Sequence, residues 1–214
     1  MQYVVLRFFY FFYVIFYFLY NIFYRIIVYC YYFNIYENNN NGDKMFYYIN
    51  IFFIFSMFGY IMECVFNFIC KEKSGSGILS LPWTPIYGFG SVLIMLVYNF
   101  IQKNTHILGY QKAILLSVSM MIILTLIELI GGLFIEKVFH KTFWDYRKFK
   151  FNIGKYIALE VSLIWAFSSV ILAYIVIPFL KPYILTIPNY ITITFIILFI
   201  LDNIYMYLTG KVNK

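Results

Sequence analysis

Charge is scarce in this chain: Asp, Glu, Lys and Arg make up only 12% of its 214 residues, nine acids against sixteen bases. That is about half the share found in soluble domains, which excludes an ordinary water-exposed surface. Cysteine is nearly absent as well. Cys30, Cys64 and Cys70 are odd in number and show no CxxC spacing, which argues against a disulfide framework or a zinc site and leaves small buried hydrophobes. GxxxxGK[ST], HExxH and GxSxG are all missing. The chain therefore cannot energise transport with ATP by itself, and it has neither the zinc-protease helix nor the serine nucleophile elbow.

What is present is apolar. Hydrophobic residues make up 64% of the chain, mean hydropathy is +0.81, and several runs approach the roughly 20 residues that a helix needs to cross a bilayer. The sequence thus specifies an integral membrane protein, all-α, a polytopic transmembrane helical bundle of five to six spans. The 26 Phe and 23 Tyr, alongside abundant Ile, Asn and Lys, fit AT-rich codon usage, so part of the aromatic excess is compositional. A net charge of +7 would suggest nucleic acid in a soluble protein; here the cations belong to the cytoplasmic side and to anionic lipid, with no nucleic-acid partner.

Along the chain, residues 1–44 comprise an aromatic helix or interfacial anchor, Phe8 to Tyr24, and an Asn-rich linker, Asn38 to Lys44. Residues 45–180 are expected to form the core, with spans from Tyr47 to Cys70, Ile86 to Ile101, Ala113 to Ile135 and Ile157 to Leu180. Residues 181–214 add a span from Ile184 to Leu208 and a short tail. Counting Lys and Arg in the connections places eleven on one side and five on the other. The richer side is cytoplasmic by the positive-inside rule, which puts the C-terminus inside. Two unusual loops then share that face: Ser80 to Gly90, SLPWTPIYGFG, and Phe139 to Gly154, FHKTFWDYRKFKFNIG.

The candidate chemistry lies in a few polar residues. Glu128 stands inside an apolar run of membrane length, eight positions before Glu136, with Gly131 and Gly132 between them. A carboxylate at that depth is expensive and calls for a partner, a water-filled cavity or a task. Glu63, four residues after Gly59, could bind a cation, a proton or a polar substrate group; as an interfacial carboxylate it could equally reach Lys71 or Lys73. Glu136 and His140, spaced i, i+4, share a helical face and suit a proton relay, or simply an interfacial hydrogen bond. Two ligands are too few for a metal site, and His106 is expected on the opposite side, so no metal is implied. Trp144 and Tyr146 suit the headgroup layer, and Asp145 is placed to pair with Lys141, Arg147 or Lys148. Pro82 and Pro85 with Tyr87, Gly88 and Gly90 suggest either a re-entrant helix start lining a cavity or a tight turn with proline at the first helical position. Glu160 is expected in the opening turn of its helix and Asp202 near a cytoplasmic end.

These residues carry a resemblance. GYIMEC at Gly59 to Cys64, PWTPIYGFG at Pro82 to Gly90, ELIGGLFIEKVFH at Glu128 to His140, WDY at Trp144 to Tyr146 and FNIGKYIALEVSLIW at Phe151 to Trp165 resemble the bacterial family of type IV ABC-transporter, or CmpB-type, permeases. The likeness covers roughly residues 46 to 180. Thr84 stands where the family more often has cysteine before Pro-Ile-Tyr-Gly. The resemblance implies a multi-pass protein of the bacterial plasma membrane, with no cofactor in this chain and ATP used only through a separate cytoplasmic ATPase; a homo-oligomer is a further expectation. In that reading Glu63 and Glu128 line a polar path while Pro82, Pro85, Tyr87, Gly88, Trp144, Asp145 and Tyr146 form a cytoplasmic interface. Two alternatives stand beside it: a substrate-binding subunit or ion-coupled carrier that needs no ATPase, and a membrane-embedded enzyme acting on lipid or isoprenoid headgroups with Glu136, His140 and Asp145 as acid-base groups.

Overall fold

The computed structural model describes residues 41–70, 79–139, 142 and 144–209. The leading apolar run, Lys71, Lys73, His140 and Lys141 lie outside them. Six α-helices are described: α1 (Asn41–Cys70), α2 (Pro85–Asn104), α3 (Gly109–Phe139), α4 (Leu159–Ile171), α5 (Ile177–Leu185) and α6 (Asn189–Thr209). A π-helical turn, Leu172–Val176, makes α4 and α5 continuous. By length and composition this gives five helices able to cross a membrane: Lys44–Val65, Pro85–Asn104, Gly109–Lys137, Leu159–Leu185 and Asn189–Met206.

The π turn has a local cause. Pro178 has no N–H to donate, and immediately before it the Ile177 N–H reaches five residues back to the Leu172 carbonyl, the wider ring that defines a π turn. The helix then runs on through Lys181 and Pro182. The chain reverses at Thr186–Pro188, where the Thr186 N–H donates to the Tyr183 carbonyl at 3.2 Å. The sequence expectation of a break between Leu180 and Ile184 is thus corrected by about one helical turn.

Two compact units emerge, one built on residues 125–162 and the other on residues 43–124 with 163–209. The core is apolar, as in a soluble protein, but the surface is apolar too. Large apolar side chains such as Phe58, Ile122, Leu133, Phe167 and Ile200 are exposed, while Asn50, Ser56, Ser91, Ser169, Thr192, Glu128 and Asp202 are buried. In hydrocarbon this arrangement is favourable, because polar groups find partners only inside the protein. Helix α3 shows it along its length. Leu116, Met120, Leu124, Glu128 and Gly132 form a buried i, i+4 row, and Ile114, Val118, Ile122, Leu126 and Ile130 form an exposed one.

In the larger unit, α1 and α2 meet through glycines. A side chain at Gly88 would stand only 2.5 Å from the Phe52 carbonyl and would collide with Ser56 Oγ, and one at Gly59 would enter the Tyr87 ring. Edge-on aromatic pairs fill the core around Phe53, Trp83 and Phe199, with Trp83–Phe199 centroids 6.1 Å apart. Thr192 Oγ1 donates to Asn50 Oδ1 at 2.7 Å within this core.

Candidate functional site

The smaller unit holds the site. Its helical side is the last third of α3, where Glu128, Gly132 and Glu136 follow one another at i, i+4 and i+8, hence on one face. The segment that follows folds back onto this face. Tyr146 Oη donates to Glu128 Oε1 at 2.9 Å across 18 residues. Tyr156 Oη donates to Glu136 Oε2 at 2.7 Å, and Lys155 Nζ forms an ion pair with Glu136 Oε1. The glycines make room for the rings. A side chain at Gly132 would come within 2.6 Å of the Tyr156 ring, whereas one at Gly131 would make ordinary contact, 3.8 Å, with Trp144. Trp144 and Tyr156 themselves meet edge-on at 6.1 Å.

The returning segment is braced internally. β1 (Asn152–Ile153) pairs antiparallel with β2 (Ile157–Ala158), and Gly154 in the turn between them has φ +69°, the left-handed region that favours glycine. The Tyr146 N–H donates to the Lys155 carbonyl at 2.8 Å. The Phe151 N–H donates to Glu160 Oε1 at 3.0 Å, and the Leu159 N–H to the Phe151 carbonyl at 3.0 Å. Thr125 Oγ1 also donates to Ser162 Oγ at 2.7 Å, tying α3 to the start of α4.

Electrostatics at the loop surface follow from these pairs. Arg147 binds Asp145 with Nε and Nη2, the latter at 2.5 Å. Those side-chain bonds, reinforced by the Arg147 backbone N–H, hold the Asp145 carboxyl at about 2. The hydrogen bond to Glu136 raises the Lys155 ammonium above its ordinary value. Glu128, only 7% exposed, is the one acidic residue of this unit that is fully buried among the described residues. Trp144 Nε1 and Glu160 Oε2 are buried atoms without a hydrogen-bond partner among the described residues.

Glu136 therefore pairs with Lys155 and Tyr156, where the sequence suggested His140; His140 itself lies outside the described residues. Asp145 does pair with Arg147. Glu63 belongs to the larger unit, on α1 one turn beyond Gly59, and its half-buried carboxylate makes no hydrogen bond or ion pair among the described residues. Pro85 occupies the start of α2, with Thr84 as N-cap in extended conformation. The Pro-rich loop is thus a turn with proline at the first helical position, the second of the two sequence expectations.

One residue carries more than its sequence context announced. Asp202, 5% exposed on α6, accepts from the Ser80 N–H at 3.2 Å, the Leu81 N–H at 3.0 Å and Trp83 Nε1 at 3.0 Å. It anchors the loop that leads into Pro85, Tyr87 and Gly88. An acid in the last membrane-length helix was the available signal, the same one that singled out Glu128. Among the described residues no group of three or more His, Cys, Asp or Glu could hold a metal ion.

Comparison with known proteins places this site in a family. No curated protein and no solved structure matches the chain. The profile of the family described as "Putative ABC-transporter type IV" matches residues 50–207, a range that takes in Glu63, the Pro82–Gly90 loop, Glu128, the Trp144–Tyr146 segment and Asp202. With most of its length matched, the chain belongs to the ABC-transporter type IV family, as a membrane protein with five helices of spanning length among the described residues.

Proposed function

We propose that this chain is the permease-like membrane subunit of a transporter in the bacterial plasma membrane, energised by a separate cytoplasmic ATPase. ATP enters only through that partner. Glu63 and Glu128 line the polar path, and the segments around Pro82–Gly88 and Trp144–Tyr146 face the cytoplasm, with the C-terminus on the same side. The observation that carries this reading is the Tyr146–Glu128 hydrogen bond. It ties a carboxylate on the buried row of a membrane-length helix to a surface loop, so a partner that moves the loop would change the surroundings of Glu128. A buried carboxylate that loses its donor must gain another partner or a proton, which is a means of opening or closing a polar path.

Family membership supports the same reading. Of the three acid-base candidates of the enzyme alternative, Glu136 and Asp145 are held in ion pairs, which weakens that reading, and His140 lies outside the described residues. The test is affinity purification of the full chain from its native membranes in mild detergent. A co-purifying ATPase at fixed stoichiometry is expected; transport by the reconstituted chain alone would instead establish a carrier.

A further inference from the structure

The outer side of the β1–β2 hairpin is unlike the side that docks on α3. Phe151 is 55% exposed, Ile153 73% and Leu159 45%. Lys148 and Lys150 are exposed beside them, with Lys150 Nζ 5.4 Å from the centre of the Phe151 ring. The loop's other described cations are already matched, Arg147 by Asp145 and Lys155 by Glu136. Lys148 and Lys150 have no acidic partner among the described residues. The patch is therefore apolar at its centre and carries two uncompensated positive charges at its edge.

Its height relative to a bilayer follows from connectivity. Phe151 is pinned to the opening turn of α4 by the bonds to Glu160 and Leu159, and the apolar span begins at Leu159. On the other side, Tyr146 reaches back to Glu128, nine residues and roughly 13 Å of helix inside the end of its span at Lys137. The hairpin thus lies alongside the ends of two spans and does not project into water. Exposed Phe, Ile and Leu at that level, bordered by lysines, match a headgroup layer, where apolar side chains enter the acyl boundary and cations meet phosphates.

We infer that the Arg147–Leu159 hairpin is a lipid-headgroup site, inserting Phe151 and Ile153 into the interface while Lys148 and Lys150 engage the phosphate of an anionic lipid. Neither a transported substrate nor an ATPase is needed for this contact. The test uses the full chain with its three cysteines replaced by serine and Ile153→Cys carrying an environment-sensitive fluorophore. It is reconstituted into phosphatidylcholine vesicles with and without phosphatidylglycerol, each bearing brominated acyl chains as quencher. Blue-shifted, quenched emission is expected, deeper with phosphatidylglycerol, and that increment should vanish in Lys148→Gln/Lys150→Gln. Water-like emission in both vesicles would overturn the assignment, as would quenching that ignores lipid charge. Emission that changes only on adding a cytosolic extract would make the hairpin a protein-docking surface instead. Salt titration of the phosphatidylglycerol increment without the lysine substitutions provides a second reading should the double variant fail to insert: loss at high salt is expected, and indifference to salt contradicts the phosphate contact.

Discussion

Glu128 and Tyr146 form a pair in which donor and acceptor are distinct, so substitutions on the two sides should differ. Tyr146→Phe leaves the carboxylate buried without this donor, at a cost of about 1–3 kcal/mol, and should lower the midpoint of thermal unfolding. Glu128→Gln keeps an oxygen to accept from Tyr146 and removes the charge, so its midpoint should stay near or above that of the native chain while transport is lost. A strongly destabilised Glu128→Gln that remains active would make the carboxylate structural only. The adjacent glycines offer a sharper contrast. Gly132→Ala must displace the Tyr156 ring, at about 1–3 kcal/mol, and should make Lys148 and Lys150 more accessible to trypsin. Gly131→Ala meets only ordinary contact and gains helix propensity of about 0.5–1 kcal/mol, so it should be neutral or stabilising. Equal effects at the two positions would contradict the docked arrangement of Trp144 and Tyr156. Loop pairing also fixes a pH window. Asp145 is held at about 2 by Arg147, against roughly 4 in an unfolded chain; a lowered carboxyl stabilises above its unfolded value and loses that contribution as pH falls toward about 2. Lys155 is raised by Glu136; its contribution is full below the unfolded lysine value of roughly 10.4 and is lost as pH rises through the higher folded value. The fluorine resonance of a fluorotryptophan at Trp144 should therefore hold still between about pH 5 and 9. Movement near neutrality would mean that another group controls the loop.

At the level of elements, local pattern and long-range contact part company. The spans were legible because an apolar run of about 20 residues has few other uses, and Glu128 stood out for the same reason. Pro85 at the start of α2 and Glu160 in the first turn of α4 were legible too, since helix starts are governed by nearest neighbours. The turn at Thr186–Pro188 was not, because Lys181 and Pro182 resemble a boundary yet sit within α5. Nor could spacing reveal that Tyr146 reaches Glu128, or that Glu136 takes Lys155 and Tyr156; those choices depend on a hairpin that reverses at Gly154. Asp202 is the clearest case. Its partners lie 119 to 122 residues away, a separation no periodicity reports. Asp202→Ala would strand two backbone N–H groups and the Trp83 indole N–H, costing about 3 kcal/mol or more, whereas Asp202→Asn retains one acceptor oxygen and should lose less. Hydrogen exchange at Ser80 and Leu81 should quicken in both variants, more in the alanine; unchanged exchange there would mean that the loop is held by its own turn.

For the whole molecule, the described residues suit hydrocarbon: apolar rows face outward, polar residues such as Asn50, Glu128 and Asp202 are buried with hydrogen-bond partners, and the family match runs from α1 through α6. The last helix belongs with the rest, since the motif loop at Pro82–Gly90 hangs on Asp202. If energy arrives from a partner ATPase, as proposed, the hydrogen bond from Tyr146 to Glu128 offers a route from the loop to the buried carboxylate. ATP hydrolysis by the assembly purified from native membranes, compared between the native chain and Glu128→Gln at equal partner content, measures that route directly. Hydrolysis present in the native assembly and sharply reduced in Glu128→Gln, with the ATPase still bound, is the expected result. An assembly without ATPase, or hydrolysis indifferent to Glu128→Gln, would refute the coupling between loop and carboxylate.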